Sequence, residues 1–313
     1  MSFFIRKCVT MLITLLLVSI LAFIAFQIIP GDPAVVLLGM EATDESVEAL
    51  REEMGLNRSA AVLYIEWLGS FMTGDMGYSY ISGMPVREVI GDRLLITGAL
   101  MGLSFVLTVI ISVPIGVLFA RKKSGMGNLA ITAASQIGMA IPPLFLGIIL
   151  TFVFSAIFRI FTPTAFPSHR DGAAAFLGFM LLPALAIALP KSAMTIKLIR
   201  SSVFAEMENP YVRTARIRGA GPNAVLFLHV LPNVAVPVIT FLLLTLTMIV
   251  TDAIVVERIF SIPGAGRLLI RAIETRDFPV VQALAVVVAA FVVALNLLTD
   301  LLCRLVDPRI SRR

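Results

Sequence analysis

The side chains that ordinarily carry chemistry are few in this chain and poorly placed for it. The two histidines, His169 and His229, are far apart and have no partners at metal-ligand spacing. The two cysteines, Cys8 and Cys303, fall at the inner ends of predicted helices, where thiols stay reduced, so neither a disulfide nor a metal site is expected. No Gly-x-x-x-x-Gly-Lys-Ser/Thr stretch occurs, so the chain lacks that cradle for the phosphates of ATP. A serine–histidine enzyme working inside the apolar runs is disfavoured because both histidines lie outside them. The expectation is a non-catalytic chain with no cofactor.

Two sets of polar residues are nevertheless out of the ordinary. Asp252 lies in an apolar run, where a carboxylate is a functional candidate by default. Its position near the end of that run, close to Glu257 and Arg258, also allows a solvated or paired structural acid. Gln136, with Ser135 and Asn296, lies in other apolar runs, and such groups face neighbouring helices or a pathway rather than lipid. Gln136 and Asp252 are therefore the candidates for lining a polar path between the apolar runs. The second set is the stretch from Arg200 to Leu231, too polar for a span and too long for a simple turn. Asn209-Pro210 suits a helix start, Gly219, Gly221 and Pro222 break the helix, and Asn223–Val230 begins the next. The expected product is a basic helix-turn-helix carrying Tyr211, Arg213, Thr214, Ala215, Arg216, Gly219, Ala220, Gly221 and Pro222.

The elements that position these residues follow from composition. The 313 residues are 58% hydrophobic and 14% charged, against roughly 45–50% and 25% in soluble domains. Apolar runs cover 8–29, 98–119, 131–157, 176–196, 233–256 and 280–302, each long enough for a hydrocarbon core of about 30 Å. An all-α integral membrane protein with about six transmembrane helices is expected. The first run is too long for the apolar core of a signal peptide and is read as a retained helix. Lys and Arg concentrate around Arg6-Lys7, 121–123, 197–218 and 304–313, which places these segments and both termini in the cytoplasm. The basic balance of 25 Lys plus Arg to 20 Asp plus Glu is thus a topology signal and implies no nucleic-acid partner. Three parts are expected: a first transmembrane helix over 1–29, an external segment over 30–97 with short helices at Asp44–Glu53 and Ala61–Met72, and a core over 98–313 containing the loop 200–231. Pro114, Pro142, Pro143, Pro183, Pro190, Pro232 and Pro237 lie in or beside the predicted helices and favour kinks.

Arg213-Thr214-Ala215, then Gly219, then Leu231-Pro232 resembles the cytoplasmic coupling loop of ABC importer permeases, in its dipeptide/oligopeptide/nickel branch. The general pattern begins Glu-Ala-Ala, and here Arg213 and Thr214 replace Glu-Ala while His229 replaces Ile. The resemblance continues through Pro30-Gly31-Asp32-Pro33, Gly55-Leu56-Asn57, Thr73-Gly74-Asp75-Met76-Gly77-Tyr78-Ser79 and Asp92-Arg93-Leu94. It resumes at Pro237-Val238-Ile239-Thr240, Val255-Val256-Glu257, Phe260 to Arg267, Arg276 to Gln282 and Asp307-Pro308-Arg309-Ile310. It implies the ABC importer permease fold and a multi-pass protein of the bacterial inner membrane. The implied partners are a second, homologous permease in a heterodimer, two ATPase subunits seated on the loops, an external solute-binding protein and membrane lipid. The implied function is a translocation pathway for peptides or similar small solutes; nickel chelates and glutathione are alternative cargoes. A secondary transporter, which would need mid-membrane coupling carboxylates and inverted repeats, is the weaker reading.

Overall fold

The computed structural model describes residues 2–28, 33–38, 42–53, 57–120, 125–163, 166–167 and 172–306. Pro30 to Asp32, Gly55-Leu56, the basic cluster 121–123, His169 and the stretch from Asp307 to the C-terminal arginines lie outside them. Every extended element among the described residues is a helix. In order these are α1 (Ser2–Ile28), α2 (Pro33–Leu38), α3 (Asp44–Glu53), α4 (Ala60–Met72), α5 (Val86–Ala120), α6 (Met126–Ala140) and α7 (Pro143–Thr151). A π-helical stretch, Phe152–Ile157, extends α7, and then come α8 (Ala173–Glu206), α9 (Pro210–Ile217) and α10 (Pro222–Ala224). A second π-helical stretch, Val225–Val230, leads into α11 (Leu231–Ile259), followed by α12 (Ala265–Glu274) and α13 (Phe278–Val306).

Among the described residues, five helices are long and apolar enough to cross a membrane: Ile5–Ala25, Val86–Ala120, Ala173–Glu206, Pro222–Ile259 and Phe278–Leu305. The apolar run at 131–157, expected as one span, is instead two helices, α6 and α7, meeting at 99°. The cause is the Pro142-Pro143 pair. A residue that precedes proline is driven out of helical backbone, and Ile141 and Pro142 both take extended geometry, with ψ of 114° and 148°. Pro143 then starts α7 at a first-turn position, where its missing N–H costs nothing. The pair counts as a sixth span if it is taken as one broken crossing. By contrast, Pro114, Pro183, Pro190 and Pro237 are held inside continuous helices.

The chain divides into two compact units, one of 1–97 with 263–294 and the other of 98–262 with 295–313. In the second unit α8 is the central element, packed by α6, α7 and α11, and it is the span with the largest buried share. Small residues let the backbones approach closely, as membrane helices require where hydrocarbon supplies no hydrophobic drive. A Cβ at Gly138 would lie 3.0 Å from that of Ala193, and one at Gly147 would lie 3.2 Å from the Phe260 ring. In the first unit α1 meets α4 through a 2.8 Å hydrogen bond between the Ser19 and Tyr64 hydroxyls. Phe23 packs edge-on against Tyr64, and Tyr64, Trp67 and Phe71 form a run of neighbouring rings along α4.

Candidate functional site

The basic helix-turn-helix is present, and its geometry follows from a few residues. Pro210 occupies the first turn of α9 after Asn209 in extended conformation, although the Asn209 side chain makes no capping bond. At the far end Gly219 takes φ +89°, the left-handed region that an L side chain resists. Ala220 N–H donates to the Ala215 carbonyl at 3.1 Å and Gly219 N–H to the Arg216 carbonyl at 3.0 Å, the pairing of a Schellman helix stop. Val212, fully buried, points α9 into an apolar cluster with Val203 of α8, Val225, Leu226 and Val230 of the π-helical stretch, and Val234 of α11. Ala215 and Ala220 pack on the same cluster. The clustering of apolar residues on one side of α9 leaves Arg213, Thr214, Ile217 and Arg218 on the outside, with Ile217 80% exposed.

Tyr211 has a different place from the one its sequence neighbours suggest. Its hydroxyl donates to Glu206 Oε1 at 2.5 Å, lies 3.2 Å from the His229 carbonyl oxygen, and accepts from Asn233 Nδ2 at 3.0 Å. Asn233 Nδ2 also reaches the His229 carbonyl at 3.0 Å. One phenol therefore staples α9 to the end of α8 and to the start of α11. Partial burial and the bond donated to Glu206 raise the phenol above its ordinary value of 10.0, with the Asn233 bond acting the other way. Arg216 turns back toward α8, placing Nη2 3.4 Å from Met207 Sδ. Arg216, Met207, Ala220, Pro222, Asn223, Val225 and Leu226 border a concavity of about 360 Å³ beside the turn. The nine residues singled out around the turn are thus brought together, but they divide into an outer set and a holding set. Gly221, in extended backbone, and Pro222, in the first turn of α10, restart the helix.

The two path candidates are not brought together. Gln136 lies exposed on α6, beside the buried Ser135. Asp252 on α11 faces Lys191 on α8, with Nζ 2.8 Å from Oδ2 and the side chains 12% and 19% exposed respectively. Asp252 thus pairs with Lys191 rather than with its expected neighbour Arg258. Asn296 accepts a 2.9 Å bond from Thr247 Oγ1, joining α13 to α11.

A further polar centre was not singled out in the sequence. Asp277, 4% exposed, accepts from Ser79 Oγ at 2.5 Å and from the Tyr80 backbone N–H at 3.0 Å. The Ser79 loop is itself ordered by Gly74, Gly77 and Gly83, all at positive φ, and by the Asp75 carboxylate accepting the Gly77 N–H at 2.9 Å. Nearby, Arg93 Nη1 donates to the Pro263 carbonyl at 3.0 Å and Ala265 N–H to Thr97 Oγ1 at 2.8 Å. Four short stretches that had only their order in common, around 73–79, 92–94, 263–267 and 276–282, thus form hydrogen-bonded junctions within one unit. Burial and the Asp277 charge raise the Tyr80 phenol above 10.0. A signal was available in the polar Asp277 between Arg276, at φ +57°, and the apolar start of α13, but its partners lie far off in sequence.

Comparison with known proteins agrees with this architecture. Residues 112–312 match the family described as binding-protein-dependent transport system inner membrane component, and residues 1–101 match its N-terminal companion. The oligopeptide transport system permease protein AppB of Bacillus subtilis is 36% identical over 313 residues, covering 99% of each chain. A Sinorhizobium fredii protein named as a probable peptide ABC transporter permease is 33% identical over 308 residues, covering 98% of each. With five helices among the described residues long and apolar enough to cross a membrane, or six counting the broken pair, and family matches along nearly its full length, this multi-pass chain belongs to the inner-membrane permease components of binding-protein-dependent transport systems.

Proposed function

We propose that the chain is one permease subunit of an ATP-driven importer of peptides, working with a second homologous permease, two ATPase subunits and an external binding protein. Both termini and α9 face the cytoplasm, and 1–29, 30–97 and 98–313 act as anchor, external segment and transport core. The observation that carries this reading is α9 itself. It is a short basic helix with a defined stop, an outward face of Arg213, Thr214, Ile217 and Arg218, and an inward face tied to α8 and α11 through Val212 and Tyr211. Such a helix can seat in a groove of an ATPase and pass the groove's displacement to two membrane helices as a rigid-body movement between two packings. Peptides are the favoured cargo because the Bacillus and Sinorhizobium relatives carry peptide in their names.

The test uses two substitutions at Gly219. No other group approaches within 4 Å of a Cβ built there, so within this chain the position demands backbone geometry rather than space. Gly219→Asn, a residue type that visits left-handed backbone with small penalty, is expected to retain copurification with the ATPase. Gly219→Asp adds a charge to the docking face and is expected to reduce copurification and binding-protein-stimulated ATP hydrolysis, with Ser59→Asp as an exposed control. Normal assembly and hydrolysis in Gly219→Asp would remove the docking assignment.

A further inference from the structure

Lys191 and Asp252 are charged side chains inside two long apolar helices. Each belongs to a membrane-crossing helix, and charged side chains within such helices face protein or water rather than lipid. Their 2.8 Å approach joins α8 to α11. Yet the pair uses little of its bonding capacity. An ammonium offers three donors and a carboxylate about four acceptor sites. Among the described residues, the only polar partner either side chain has is the other, and Oδ2, though close to Nζ, is not aligned with it as a hydrogen bond. Both groups also keep partial exposure. Pro190, immediately before Lys191, removes the helical bond that the Ala186 carbonyl would accept, leaving a further acceptor at this level of α8.

A pair that served only to hold two helices would be satisfied on all sides or replaced by apolar packing, which is often equally stable. A partly exposed pair with spare donors and acceptors suits exchange with a ligand. The ligand's charge is constrained as well. A pure cation or anion would take one partner and strand the other, whereas a molecule carrying both an ammonium and a carboxylate replaces both partners at once. We propose that Lys191 and Asp252 form a polar station in the translocation path for zwitterionic cargo, the cargo ammonium meeting Asp252 and its carboxylate meeting Lys191. The two side chains pair with each other again when cargo leaves. The station rests on the transport reading above and adds to it the chemical class of cargo and the residues that meet it.

The experiment is uptake of a zwitterionic tripeptide into vesicles holding the full complex, read as peptide transported per ATP hydrolysed. Lys191→Met with Asp252→Leu removes both charges at similar volume, and Lys191→Asp with Asp252→Lys exchanges them. Both double variants are expected to assemble and to keep binding-protein-stimulated hydrolysis. Peptide per ATP should fall about tenfold or more in the apolar pair, which is the scale of losing even one of its two charge-assisted contacts, and recover to within about threefold in the exchanged pair. Should the apolar pair fail to assemble, Asp252→Asn, which keeps size and polarity, is expected to show the same fall. Unchanged peptide per ATP in the apolar pair, or in Asp252→Asn where that stands in, overturns the station. So does an exchanged pair no better than the apolar one, or loss of assembly in all three variants. A wild-type complex with no stimulated hydrolysis overturns the transport reading and the station with it, an outcome visible before any variant is compared.

Discussion

Tyr211 ties α9 to its neighbours through one hydroxyl, which donates to Glu206 of α8 and accepts from Asn233 of α11. Tyr211→Phe should loosen α9 by about 1 kcal/mol, the net worth of a partly exposed hydrogen bond, read as amide exchange in α9 faster by about fivefold. Its pH dependence has a definite sign. The phenol's value is raised in the folded chain, so the staple is whole below the ordinary tyrosine value of 10.0 and is lost as pH rises through the raised one. Tyr80 obeys the same rule through its burial and the Asp277 charge. In an ultraviolet phenolate titration, Tyr80→Phe and Tyr211→Phe should each remove a high-pH component. Asp277→Ala should destabilise its unit by about 1–3 kcal/mol, since it leaves the buried Ser79 hydroxyl and Tyr80 N–H without their acceptor, and thermal unfolding of the purified protein measures this. At this scale the sequence was informative where chemistry is local. Asn209-Pro210 and Gly219 marked the bounds of α9 from their own backbone preferences. Lys191 beside Asp252, and Ser79 beside Asp277, were not legible, because each pair is made by packing between helices or loops remote in sequence.

Helices are where the apolar pattern spoke most clearly, and also where it erred. Runs of apolar residues mark a length of chain that lipid or protein can cover but not whether that length stays straight. Hence 131–157 read as one span, while the backbone demands of Ile141, Pro142 and Pro143 divide it at 99°. The same periodicity located α3 and α4 correctly within the stretch 30–97. The break brings α7 against α8 and α11, and a Cβ added at Gly147 would meet Phe260, Ile259 and Ala186. Gly147→Leu should therefore cost about 1–3 kcal/mol by overpacking, whereas Gly178→Leu, with nothing within 4 Å of its Cβ, should be neutral. Detergent thermostability of the two variants provides the comparison.

For the whole molecule, the distribution of charge is the evidence for orientation. The proposal places α9 inside and α4 outside. A cysteine replacing the exposed Ile217 should react with an impermeant thiol reagent only after the membrane is opened, while one replacing Ser59 should react in intact spheroplasts. The reverse pattern would invert the topology and remove α9 from the reach of any cytoplasmic ATPase. Composition marks the membrane as the solvent, and the order of short stretches along the chain marks the family without reference to any contact. The most direct test of the central claim is tripeptide accumulation in vesicles containing the assembled complex, with binding protein outside and ATP inside. Accumulation is expected to require both and to be indifferent to a proton or sodium gradient. Accumulation driven by such a gradient without ATP would contradict the claim.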